Sequence, residues 1–158
     1  QASITGHLVV STLHTNNATG TLDRMVDMGV ERYMLADSVV GVIAQRLVRK
    51  LCPHCRRKRL ATPEEKRLMY FSEEEAVEIY EPGGCKLCND TGYYGRKGIF
   101  EIMEMNEELR RLIAEGSDSK NLIRAAKRNG MRTLRENGTR DVLAGITSIE
   151  ELLKASYE

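Results

Sequence analysis

The chain has 158 residues, with 24 Lys and Arg against 23 Asp and Glu, a formal net charge of +1. So balanced a surface has no global field to recruit nucleic acid. A hydrophobic share of 41% and a charged share of 30% describe a soluble globular protein, either one domain or a domain fragment with a small satellite. No apolar run reaches the roughly 18 residues of a membrane span. The opening Gln1-Ala2-Ser3-Ile4-Thr5-Gly6 has neither a start Met nor a signal peptide and reads as a piece cut from something longer.

In chain order, His7-Leu8-Val9-Val10-Ser11-Thr12-Leu13-His14-Thr15-Asn16 comes first. The continuous apolar run Leu8-Val9-Val10 predicts a strand buried on both faces, as in a parallel sheet. The run then turns polar. Ligands of open α/β sheets sit beyond the carboxyl ends of the strands, which puts His14 where a ligand-facing side chain belongs. The other reading is that His14 caps the turn and meets water. Asn16 or Asn17 predicts the start of a helix running to Gly29, with Leu22, Met25 and Val26 on one face. A second helix is predicted over about 31–48, with Leu35, Val39, Val42, Ile43 and Leu47 apolar and Gly41 marking close packing.

All four cysteines of the chain fall in two couplets, Cys52-Pro53-His54-Cys55 and Cys85-Lys86-Leu87-Cys88. Two residues between each pair let both thiolates face one ion, and two such knuckles make a closed sulfur site of the structural-zinc kind. The long segment between them costs only about 0.4 kcal/mol of extra loop-closure entropy, against roughly 10–16 kcal/mol for a structural zinc. Iron in the same cage, or two disulfides, are the rival readings. Arg46, Arg49, Lys50, Arg56, Arg57, Lys58 and Arg59 form a basic block around the first knuckle. It reads either as an anion-binding surface or as a collar neutralised by Glu64, Glu65, Glu73, Glu74, Glu75, Glu78 and Glu81. The interleaved aromatics of nucleic-acid binders are missing, so no nucleic-acid partner is expected.

Between the knuckles, Thr62-Pro63-Glu64-Glu65 and Ser72-Glu73-Glu74-Glu75 predict two short capped helices, a helical excursion pinned by the metal. After the turn Asn89-Asp90-Thr91-Gly92, Gly95-Arg96-Lys97-Gly98 is expected to break the chain again. Ile99 to Met105 follows as an edge strand with one wet face. The rest predicts helices: from Glu107 to a stop at Gly116, from a Ser119 cap to Asn129-Gly130, from Thr133 to Gly145, and a last one boxed by Thr147-Ser148-Ile149-Glu150.

Four stretches together resemble one family. They are the His box from Thr5 to Asn16; Ala44-Gln45-Arg46-Leu47-Val48-Arg49-Lys50-Leu51-Cys52-Pro53 with the second knuckle; Gly95-Arg96-Lys97-Gly98-Ile99-Phe100-Glu101; and Gly145-Ile146-Thr147-Ser148-Ile149-Glu150-Glu151. The chain resembles the type II secretion and type IV pilus assembly ATPases of the extension type, C-terminal portion; retraction ATPases lack the four cysteines. The resemblance implies an α/β fold. It would be the C-terminal end of a RecA-like core over 1–51, a tetracysteine zinc module over 52–92, and an edge strand with a helical subdomain over 93–158. It implies a cytoplasmic homohexamer on the inner-membrane face, acting on a platform protein, with ATP and Mg²⁺ in the full-length protein. Cys52, Cys55, Cys85 and Cys88 would bind structural Zn²⁺. His14, and less directly His7, would lie near the nucleotide phosphates. Neither a Gly-x-x-x-x-Gly-Lys-Ser/Thr loop nor an acidic strand end before the His box is present, so the 158 residues alone are expected to be inactive. The rival from another class is a stand-alone zinc-binding interaction module with no nucleotide role.

Overall fold

Asn17 turns extended backbone into helix α1 (Ala18–Asp27) in the computed structural model, which describes residues 2–156. Its Oδ1 accepts the Gly20 N–H at 2.8 Å, the predicted cap. Gly29, at φ +89, closes the helix in the left-handed region, as expected. Leu22 is buried, and Met25 and Val26 pack against the same cluster.

The helix expected over 31–48 stops early. Helix α2 (Arg32–Ser38) is followed by strand β1 (Gly41–Leu51). Val39, Val42, Ile43 and Leu47 fit a helical period, but Val and Ile lose side-chain freedom against a helical turn and pack well in a pleated ladder. Strand β4 (Tyr93–Glu104) supplies that ladder. The close approach signalled by Gly41 is to a strand, since a Cβ there would lie 3.2 Å from the Met103 carbonyl oxygen.

β4 also differs from expectation. It runs unbroken through Gly95 and Gly98, because Gly95 absorbs a left-handed φ of +74 within the strand. Its wet face carries Phe100, Ile102 and Glu104, while Ile99, Glu101 and Met103 point inward. Glu101 is buried because its carboxylate accepts the Ala18 N–H at 2.8 Å, one of the orphan donors at the start of α1.

The apolar run before α1 forms no strand. Leu8 and Val10 are each 87% exposed, and residues 7–16 are in no helix or strand. A two-face-buried strand needs neighbours on both edges and cover on both faces. Among the described residues the only ladders are β1 with β4 and the pair in the insert, so that environment is missing.

The chain divides into two compact units, Gln1–Ala44 with Glu101–Arg132, and Gln45–Phe100 with Thr133–Glu158. In the first, α1 and α2 share a core with α4 (Glu107–Ala114) and α5 (Ser119–Arg128), built on Leu35, Met103, Leu109, Ile113 and Leu122. Asp118 rather than Ser119 caps α5, accepting the Asn121 N–H at 2.8 Å, while the Ser119 hydroxyl donates to Asp23 at 2.5 Å.

In the second unit, the insert between the knuckles is only partly helical. Thr62 and Glu65 make the predicted reciprocal box of α3 (Pro63–Leu68). The box at Ser72 closes a turn instead: the Ser72 N–H reaches Glu75 at 2.9 Å, and no helix follows. The chain extends there because Val77 and Ile79 are needed inside. It forms antiparallel strands β2 (Arg57–Leu60) and β3 (Glu78–Glu81), with Arg57 opposite Glu81 and Arg59 opposite Ile79. Helices α6 (Leu134–Leu143) and α7 (Ile149–Ala155) complete this core, capped by Thr133 and Ser148. Gly138 is required where they meet, since a Cβ there would overlap Leu152.

Candidate metal centre

Cys52 leaves the end of β1 with its N–H on the Gly92 carbonyl at 2.9 Å. The first knuckle then closes as a turn, the Arg56 N–H returning to the Cys52 carbonyl at 3.0 Å. In the second, Cys88 and Asp90 both donate back to the Cys85 carbonyl, at 3.1 and 2.9 Å. That reversal puts Asn89 and Asp90 at φ +51 and +58, a conformation these two residues tolerate better than other side chains. Gly92 follows at φ +75 and donates its N–H to Cys88 Sγ at 3.3 Å.

The two knuckles meet. All four sulfurs lie within 4.8 Å of one another. Cys52–Cys85, Cys55–Cys88 and Cys85–Cys88 are 3.9, 3.7 and 3.7 Å apart. A tetrahedral ion with metal–sulfur bonds of about 2.3 Å requires an edge of about 3.8 Å. A disulfide needs about 2.05 Å, and none of the four cysteines forms one. The donor set therefore fits a thiophilic metal ion. Cys52 and Cys88 are buried and Cys55 and Cys85 half-buried, and four sulfurs would fill the coordination of a tetrahedral ion.

Crowding sets the thiols against one another. Burial, and hydrogen bonding to the other sulfurs, push Cys55 up to about 12. At Cys88 burial acts upward too, but hydrogen bonds, including that from Gly92, bring it down to about 6. A divalent cation removes this conflict by favouring the thiolate at every position.

Gly83 is a part of the site that its sequence position did not reveal. A Cβ there would overlap the Cys55 carbonyl, and a Cβ at Gly92 would lie 2.5 Å from Pro82 Cβ and 2.8 Å from the Gly83 oxygen. Pro82-Gly83-Gly84 is thus a close packing of one knuckle on the other as well as the end of the insert. The paired glycines beside a cysteine couplet were the available signal. Neither His7 nor His14 belongs to the sulfur group. His14 is exposed, and so is His7, whose Nδ1 lies 3.2 Å from the Thr5 hydroxyl.

A family profile described as Type II/IV secretion system protein matches residues 1–154. The chain belongs to that family. It is 46% identical over 158 residues to the Type II secretion system protein HxcR of Pseudomonas aeruginosa, covering all of this chain and 30% of that protein. It is 42% identical to the Type IV pilus assembly ATPase TfpB of Acinetobacter baylyi, covering 98% of this chain and 27% of the relative. Against the Type IV pilus assembly ATPase PilB of Thermus thermophilus the figures are 41%, 100% and 18%. The chain thus spans less than a third of the length of these relatives.

In this secretion-family chain the basic block is largely neutralised from within. Arg57 pairs with Glu81 at 3.6 Å, Lys58 with Glu78 at 2.7 Å, and Arg59 with Glu65 and Glu81 at 2.6 and 3.1 Å. The last guanidinium bonds both Glu65 oxygens, and this hydrogen bonding holds the Glu65 carboxyl below its ordinary range. Arg49 is claimed by Glu151 at 2.7 Å and lies over the Tyr93 ring at 4.0 Å. These pairings include three of the acidic partners read from the sequence; Glu73 instead pairs with Arg67 at 2.5 Å. No helix among the described residues is long and apolar enough to cross a membrane.

Proposed function

We propose that this chain is the C-terminal portion of a hexameric ATPase that powers type II secretion or type IV pilus assembly. Whole-chain identity of 41–46% to a type II secretion protein and pilus assembly ATPases carries this reading. Residues 1–51 end a RecA-like core, 52–92 form the zinc module, and 93–158 add an edge strand and a helical subdomain. The four sulfurs hold one structural Zn²⁺, which supplies cross-linking and no chemistry of its own. His14 lies near the phosphates of an ATP–Mg²⁺ bound by the rest of the protein, with His7 the weaker contributor. The partner is an inner-membrane platform protein, met from the cytoplasmic face, and the zinc module serves as a rigid lever or as a partner-docking arm.

The test is turnover by the full-length protein with Mg²⁺. His14→Ala should lower kcat about 10²–10³-fold, with metal content and thermal unfolding unchanged. Near-native kcat in that variant would leave His14 as a solvent-facing turn residue. No turnover in the native protein would overturn the ATPase reading and favour a zinc-binding interaction module.

A further inference from the structure

Arg56 follows Cys55 in the turn that presents the first two sulfurs. Its side chain reaches away from them to the connection between α6 and α7. There Nη1 donates to the Gly145 carbonyl, and the guanidinium lies over the Tyr80 ring at 4.8 Å. The receiving turn is shaped around it. Gly145 has φ +67, and a Cβ there would lie 2.7 Å from Tyr80 Cδ2 and 2.8 Å from Arg56 Nη1.

The same turn grips the strand that delivers Cys52. The Leu51 N–H donates to the Ile146 carbonyl at 2.8 Å, and the Thr147 hydroxyl donates to the Arg49 carbonyl at 2.7 Å. Glu151, in the first turn of α7, accepts the Arg49 N–H at 3.0 Å. Arg56 also differs in kind from the cations beside it. Arg57, Lys58 and Arg59 all meet carboxylates, whereas Arg56 meets a carbonyl and a ring. Neutralising charge does not explain its placement.

We propose that Arg56 is a positioning residue of the metal centre, clasping the first cysteine knuckle to the α6–α7 turn so that metal occupancy and order in that turn rise and fall together. This rests on the reading that the four sulfurs hold a metal. A bound ion fixes the Cys52–Cys55 turn and with it the start of the Arg56 side chain. Without the ion that turn loses its cross-link, and the clasp loses its anchor. Linkage makes the effect reciprocal: a broken clasp must weaken metal binding by the same factor.

The experiment uses the full-length protein isolated with its metal, and reads Zn²⁺ affinity by chelator competition and amide exchange by mass spectrometry. Arg56→Ala should weaken Zn²⁺ binding by about tenfold. Chelation of the native protein should speed exchange in residues 145–148 and leave α5 unchanged. Arg56→Lys, which keeps charge but loses the planar fork, should restore only part of the affinity. Arg57→Ala should match the native protein in both readouts. Should Arg56→Ala fail to fold, Gly145→Ala attacks the clasp from its other side and should weaken Zn²⁺ binding similarly, although Gly145 is no ligand. Affinity within about twofold of native in these variants, or unchanged exchange at 145–148 after chelation, overturns the clasp alone. A native protein that carries and takes up no metal overturns both the clasp and the metal reading beneath it.

Discussion

The His box over 5–16 and the cysteine turns over 52–92 both carry chemistry in their sequence, yet only one assembles. The cysteine turns bring four sulfurs within 4.8 Å, each closes its own backbone hydrogen bonds, and both anchor to Gly92. The His box stays outside any ladder with Leu8 and Val10 exposed. The difference lies in where the partners come from. Every sulfur and every closely packed glycine of the candidate metal centre falls between Cys52 and Gly92. A strand buried on two faces depends on other strands, and the described residues offer it none.

The contrast is broken most severely through the metal. Cys85→Ser should reduce bound Zn²⁺ from about one per chain to near zero, removing interactions worth roughly 10–16 kcal/mol. Elemental analysis measures the metal, and amide exchange should show 52–92 opening first while α1 and α5 keep their protection. Iron in place of zinc, or disulfides by mass spectrometry, would defeat the assignment.

Gly83→Ala tests whether the site is built by packing as well as by ligands. The new Cβ meets the Cys55 carbonyl, which is backbone and cannot swing aside. A cost of about 1–3 kcal/mol is expected, with weaker metal retention, read by denaturant unfolding beside chelator competition. Gly95→Ala, where a Cβ has open space but φ is +74, should carry only the backbone strain of about 1–2 kcal/mol and spare the metal.

A smaller effect tests the strand that delivers Cys52. The hydrogen bond from Arg49, against the opposing effect of burial, lowers the Glu151 carboxyl from its ordinary range. A depressed folded value means that its contribution is present above the unfolded value of about 4.3 and is lost as pH falls through the folded one. Glu151→Gln should cost about 1–2 kcal/mol at neutral pH, the scale of a partly exposed charged hydrogen bond. Its deficit against the native protein should shrink below about pH 4 in parallel melts. A constant deficit across that range would show that the carboxylate charge is not what Arg49 uses.

Val9→Ala gives the smallest change and the sharpest contrast. In the 158-residue chain it should fall within about 0.5 kcal/mol of native stability, whereas Leu22→Ala in the first core should cost about 2–5 kcal/mol. In the full-length protein Val9→Ala should cost about 1–2 kcal/mol, because a completed sheet would bury it. Equal, negligible costs in both settings would show that the run is never a buried strand.

What the residues determined by themselves was local. Asn17, Thr62 and Thr133 cap helices where the sequence placed them, because a cap bonds amides only two or three residues away. Gly29 and Gly116 stop helices for the same reason of reach. The two cysteine couplets announced a sulfur site because a metal needs only the ligands and a chain long enough to bring them together. Other features awaited partners distant in sequence. Val39 to Leu47 satisfies a helical period and a strand's preference alike, and β4, some fifty residues onward, decides for the strand. Glu101 is one more acid of the expected edge strand until the Ala18 N–H claims it. The Ser72 box yields to a turn because Val77 and Ile79 gain more by entering the core than by extending a helix. Arg56 is one cation in a block until Tyr80 and Gly145 come beside it. Hydrogen bonds closed within a few residues are encoded where they occur, whereas burial is a property of the company that only the folded chain supplies.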